Sequence, residues 1–194
     1  MEVIPYLPTL RQMRLLMKAR LAGDGLNEAL RRITAEMRPR DLARTLVAGA
    51  HGQQPLRLSV AIEGGSSVVK RGRPQLWRIS DHGRWRRMHL GAIEAAYSSA
   101  PFFPHLFPEI ERILLMEAEA GLPFTELTSR LFDAAENILQ TERILPSLIS
   151  LRRTRPEFLQ TLIREKNSEE NDDLAFLDVI FRKGPESIFS LLSL

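Results

Sequence analysis

No cysteine occurs among the 194 residues, which excludes a disulfide framework and any thiolate metal site and is compatible with a reducing compartment. No apolar run approaches the ~20 residues that a membrane helix requires. The opening MEVIPYLPTL has neither a basic n-region nor an apolar h-region. The expectation is a cytoplasmic protein with no membrane segment. Also missing are a Gly-rich phosphate loop, a nucleophile elbow, a His-Glu-x-x-His pair and the kinase signature set, so the standard hydrolase and nucleotidase chemistries have no motif here. Aromatics are sparse, at 7%, and mostly follow helical core spacing. A stacking face for nucleic acid needs them interleaved with basic residues, so no specific nucleic acid is expected.

What is present is enough for one core. With 44% apolar residues, a chain of this length can bury about 70% of its unfolded surface without staples. The net charge of +3 hides an uneven distribution: residues 1–90 carry 17 Lys and Arg against 7 Asp and Glu, and residues 91–194 carry 10 against 17. Such asymmetry suits either a surface for anionic partners or two halves of one domain that complement each other. Only Lys18, Lys70, Lys166 and Lys183 among the 27 basic residues are lysines. Arginine is the better planar partner for phosphate and carboxylate.

Hydrophobic spacing predicts a helix-rich α+β fold. A small sheet of about three to five strands is surrounded by helices, and the C-terminal half is helix-rich. Residues 2–6 read as extended. Thr9 is an N-cap and Gly23 a stop for a first helix, and a second spans Asn27 to Met37. Thr45–Ala50 and Leu56–Ile62 read as a hairpin joined by HGQQP, and Gly64–Pro74 as a mobile loop. Gln75–Ser80 alternates as a third strand. A helix follows from about Gly83 to Ser98, started by Ser80 or Asp81 and stopped by Pro101. A further stripe runs from Leu106 to Leu114, with Pro108 acceptable if it lies in a first turn, and another from Phe124 to Leu139. Ile144–Leu151 suits strand or helix. The division follows as one α+β domain over 1–151, a charged linker over 152–173 containing KNSEENDD, and a helical segment over 174–194 that docks on the same domain.

On the central helix Trp85, Met88, His89, Ala92, Ile93, Ala96 and Tyr97 share one broad face. They read either as a core stripe, in which neighbours satisfy both nitrogens of His89, or as a pocket floor with His89 as general base and Tyr97 two turns along. The spacing of Asp81, His82 and His89 matches no established metal-ligand motif, so no metal and no cofactor is expected. Free N–H groups at the helix start, with Arg78, His82 and Arg87 around them and Lys70, Arg71 and Arg73 nearby, suit a bound anion. A self-capping Asp81 would occupy the same groups.

Three stretches resemble the WbqC-like family. They are the opening IPYLPTLRQMRLL, the central RISDHGRWRRMHLGAIEAAYSSAPFF and the closing LAFLDVIFRKGPESIFSLL. The central match carries a Trp, a His four residues on, a Tyr eight beyond that, and an Ala-Pro-Phe-Phe stop. The chain departs from the family pattern between the first helix and the hairpin. RRITAEMRPRDLARTLVAG has no Tyr and no Asn, which leaves Arg38, Arg40 and Arg44 as the counterparts of an Arg-Asn-Arg run. The resemblance implies a role in O-antigen or other surface-polysaccharide biosynthesis, as a transferase that binds a phosphorylated or otherwise anionic donor. On that reading His89 is the base, Asp81 and His82 orient the substrate, Arg78, Arg84 and Arg87 neutralise the donor, and Trp85 and Tyr97 complete the binding face. The alternative is a non-catalytic binding or scaffold protein that kept the fold but not the Asn-Tyr and Arg-Asn-Arg region. Either reading leaves a homo-oligomer or a protein partner open.

Overall fold

A computed structural model describes residues 3–35, 37–50, 53–157, 160 and 172–192. Most of the charged linker, the two loop residues His51 and Gly52, and Glu2 of the opening run lie outside the described residues. The fold is α+β, with a small two-stranded antiparallel sheet among many helices.

Helix α1 (Leu10–Ala22) begins where the sequence predicts. Thr9 and Gln12 form a reciprocal capping box, and Gly23 closes the helix with φ of 105°. Its apolar face buries Leu10, Met13, Leu16 and Met17 against α2 (Leu26–Thr34) and the C-terminal helices. α2 stops at Thr34, short of the predicted Met37. The one-turn α3 (Pro39–Leu42) leads directly into β1 (Arg44–Val47), which pairs with β2 (Leu56–Ser59) in the register Arg44 to Ser59 through Val47 to Leu56.

Two predictions along this stretch need correction. The Gly64–Pro74 segment is not a loop throughout, because Gly65–Lys70 forms the short helix α4 with Val68 and Val69 packed on the core. Nor is Gln75–Ser80 a third strand, and among the described residues the sheet has two strands rather than three to five. Pro74–Leu76 is a 3-10 turn. Beyond it only isolated bridges form, Ile62 with Ile79 and Arg78 with Pro123. The alternation is real, since Trp77 and Ile79 are buried while Leu76 and Arg78 are exposed. The backbone partners, however, are loop groups: Ile79 N–H donates to Leu122 and Phe124 N–H to the Trp77 carbonyl. Period-2 burial therefore needs only a partner chain, not a strand.

A 3-10 turn at His82–Arg84 precedes α5 (Trp85–Tyr97), with Gly83 at φ 78° and Arg84 at φ 49°. α6 (Phe103–Arg112) takes Pro104 in its first turn and carries Pro108 in its interior, so the condition of a first-turn position for Pro108 is not met. A π turn (Ile113–Glu117), α7 (Phe124–Leu139) and α8 (Thr141–Thr154) follow, so the ambiguous 144–151 stretch is helical.

The described C-terminal residues form α9 (Leu177–Lys183) and α10 (Ser187–Leu192). They are tied to the start of the chain. Leu10 N–H donates to the Leu174 carbonyl, Phe176 N–H to the Pro8 carbonyl and Ala175 N–H to the Leu46 carbonyl. Arg14, nearly buried, pairs with Asp172. Gly184 sits at φ 57° and ψ −135°, and a Cβ there would lie 2.5 Å from the ring of Phe102. Gly184→Ala should thus cost on the order of 1–3 kcal/mol from backbone strain together with a ring clash. A lowered urea midpoint with an unchanged m-value would register it.

Candidate functional site

The residues highlighted by the sequence separate into three places. Trp85, His89 and Tyr97 lie four and eight residues apart on the buried face of α5, and all three enter the core. Met88 does not join them and is 66% exposed. The stripe runs through positions 85, 89, 93 and 97 with Leu90 on its flank, which turns Met88 outward.

His89 is held on both ring nitrogens. Nε2 accepts the Ser59 N–H at 3.1 Å, which leaves the ring proton on Nδ1 facing the Tyr6 hydroxyl at 2.8 Å. Trp85 packs edge-on against the imidazole at 5.0 Å and donates its indole N–H to the Ser80 carbonyl. Burial holds the His89 pKa down at about 4, so the ring is neutral at pH 7. Burial also pushes the Tyr6 and Tyr97 phenols above their usual range. The Tyr97 oxygen accepts the Ala48 N–H, and its ring packs 5.1 Å from Phe181.

All three stretches that carry the family resemblance therefore meet in one core. The opening supplies Tyr6, the centre supplies Trp85, His89, Tyr97 and Phe103, and the end supplies Phe181, whose carbonyl accepts the Phe102 N–H.

Asp81, Arg84 and Arg87 lie together elsewhere, on a surface depression where Arg86 pairs with Asp81. Asp81 does not cap the helix; the Ser80 hydroxyl accepts the His82 N–H instead. Arg78 donates to the Gly121 carbonyl at 2.8 Å.

His82 is the one predicted site residue that lines a cleft of about 550 Å³ between the hairpin and α4. Ala43, Val60 and Ile62 make its apolar floor, and Gly64, Gly65 and Ser66 its rim. Around it stand Arg40, Arg44, Lys70 and His82, with the hydroxyls of Ser59, Ser66 and Ser80 and, among the described residues, no carboxylate in the lining.

Local structure explains the grouping. Arg44 is the exposed first residue of β1, opposite Ser59, and α3 lifts Arg40 beside it. α4 brings Lys70 across, and the Ser80 N–H bond to the Ala61 carbonyl carries His82 to the cleft edge. The positive lining attracts anions, and its apolar floor lowers the local dielectric and strengthens that attraction.

Among the described residues no three His, Asp or Glu side chains converge. No described helix is long and apolar enough to cross a membrane.

The model of the WbqC-like protein family matches residues 42–171. The chain belongs to that family. The matched span covers Arg44, Lys70 and His82 of the cleft and Trp85, His89 and Tyr97 of the core, whereas Arg38 and Arg40 precede it. No curated protein and no solved structure matches the chain.

Within this WbqC-like chain, sequence reasoning singled out Arg40 and Arg44 only as counterparts of a family pattern. It placed Lys70 only near the candidate anion site. The signal that would have joined them is the hairpin itself. Pairing Arg44 with the end of β2 brings the 40–44 and 59–70 segments together.

Proposed function

We propose that the protein binds a phosphorylated or otherwise anionic activated donor of surface-polysaccharide biosynthesis in the cleft between the hairpin, α4 and the turn at His82. The observation that carries this reading is a cleft of about 550 Å³ lined by Arg40, Arg44, Lys70 and His82, with no carboxylate among the described residues of its lining. Arg44 and Lys70 have no ion-pair partner among the described residues. Guanidinium groups offer bidentate donors to phosphate oxygens, the lysine adds a point charge, and the serine hydroxyls donate further. His82 is the imidazole that faces a ligand here, in the orienting role assigned to it. His89 acts at one remove, holding Ser59 and with it one wall of the cleft. Arg84, Arg87 and Asp81 stand on a separate depression, and Arg78 is occupied with Gly121, so the donor charge falls chiefly to Arg44 and Lys70, with Arg40, which also pairs with Asp41, beside them.

A specific observation favours the second reading, a binding protein without turnover. Both nitrogens of His89 are engaged inside the core, which leaves the base role without an accessible lone pair.

Titration of the purified protein with inorganic pyrophosphate and a nucleotide diphosphate sugar tests the anion site. Each of Arg44→Ala and Lys70→Ala should weaken binding about tenfold or more, since a charged hydrogen bond contributes about 1.5–3 kcal/mol. Stability should stay within about 0.5 kcal/mol, as expected for exposed positions. Equal affinity in wild type and both variants would reject the cleft as the anion site. Turnover of any activated donor would reject the binding-only reading.

A further inference from the structure

A second cleft, of about 510 Å³, lies on the other side of Arg40 and Arg44, which line both. Its chemistry differs from that of the first. Arg38 and Arg57 add donors and Asp41 and Asp173 add carboxylates, beside Thr9 and Gln12, whose side chains are engaged in the capping box. The hairpin generates the division. Arg44 starts β1, and Arg57 stands on β2 opposite Leu46, so the two arginines project from neighbouring positions of one small sheet. Asp41, one residue from Arg40, is held by Arg38 at 2.8 Å and sits on the second side only. An all-cationic lining selects net negative ligands. Four arginines and two aspartates line the second cleft, with Asp41 paired to Arg38 and Arg40 and Asp173 to Arg11, and such paired groups suit a neutral polyhydroxylated molecule, whose hydroxyls donate to the remaining carboxylate lone pairs and accept from the guanidinium groups.

We infer that the second cleft is a subsite for a neutral sugar, set beside the anion cleft and sharing Arg40 and Arg44 with it. The inference rests on the anion-cleft reading for the identity of its neighbour, and it assigns the second cleft to the acceptor side of the same chemistry. A sugar in this cleft would bring a hydroxyl toward the arginine wall behind which the donor anion lies. Arg44 then contacts both ligands, whereas Arg57 contacts the sugar alone and Lys70 the anion alone.

Three variants separate the clefts. Wild type, Arg57→Ala, Lys70→Ala and Arg44→Ala would each be titrated with inorganic pyrophosphate and, separately, with N-acetylglucosamine, with binding followed by protein-observed NMR. The sugar should bind saturably in the millimolar range. Arg57→Ala should weaken the sugar at least fivefold and leave pyrophosphate within twofold. Lys70→Ala should do the reverse, and Arg44→Ala should weaken both. Saturable sugar binding unchanged by Arg57→Ala and Arg44→Ala overturns the subsite. So does a complete absence of sugar binding in a protein that still binds pyrophosphate, and that outcome leaves the anion cleft standing. Failure of pyrophosphate to bind while the sugar binds with the predicted Arg57 dependence overturns the anion reading instead. Failure of both ligands overturns both.

Discussion

Lowering the pH from 7 to 4 is expected to remove about 3 kcal/mol of folding stability through His89 alone. The ring is neutral and enclosed in the folded protein, with its pKa at about 4 against 6.5 for a free imidazole. Between those values the unfolded chain binds the extra proton and the folded chain does not, so stability falls as the pH falls through the window. The contribution is complete above pH 6.5, is lost progressively down to about pH 4, and changes little below it. The geometry sets the direction. Protonating Nε2 would turn an N–H toward the Ser59 N–H, inside a wall formed by Tyr6 and Trp85. Urea unfolding at several pH values, for wild type and His89→Gln, isolates the effect because carboxylate titrations cancel in the difference. The variant should be less stable at pH 7 by about 1–3 kcal/mol, from unsatisfied buried partners. It should also lack the imidazole part of the slope. Parallel profiles for the two proteins would mean that His89 is not held neutral in the core.

Phe181→Ala should be more damaging, at about 3–5 kcal/mol, the range for deleting a buried aromatic ring. The side chain is fully enclosed and lies 5.1 Å from Tyr97 and 5.3 Å from Phe103, measured between ring centroids. Removing it opens a cavity at the junction of α5, α6 and α9. It also loosens Tyr97, whose hydroxyl holds the Ala48 N–H just beyond β1. Since typical domains have only about 5–15 kcal/mol in total, this one change should bring the melting temperature down by several degrees or more. Anion affinity measured well below that temperature should be retained, because Phe181 touches neither cleft. An unaltered melting temperature would show that the C-terminal helices contribute little to the core. The contrast with Arg44→Ala, which should cost affinity and spare stability, separates the two roles that the sequence pattern merges.

The merging has a physical cause. A helical stripe such as Trp85, His89, Ile93 and Tyr97 reports that one face is covered, and it reports the same thing whether a pocket or packed side chains do the covering. Here Tyr6 and Phe181, from opposite ends of the chain, fill the space that a ligand would otherwise occupy. The alternation at Trp77 and Ile79 reports burial on one side without saying that the hydrogen-bonding neighbour is a loop around Leu122. In the 64–70 segment the glycines and serines suggest looseness. Yet Gly64 and Gly65 use their positive φ values to turn the chain, and Ser67 closes the turn onto the Gly64 carbonyl.

The sequence by itself determined the local elements whose physics is short-range. These are the N-cap at Thr9, the stop at Gly23, the hairpin, the start of the helix after Ser80, and the helical C-terminal segment. It also determined the α+β class, the concentration of positive charge in the first 90 residues and the family pattern. Only the tertiary structure decided which of those features face a ligand. Arg40 and Arg44, Lys70 and His82 come from three separate segments, and their charges share one cleft only after the hairpin closes, α4 folds across it and Ser80 bonds to Ala61. Spacing along the chain encodes which side of an element is buried. What lies against that side depends on contacts between residues far apart in sequence, and no local period carries that information.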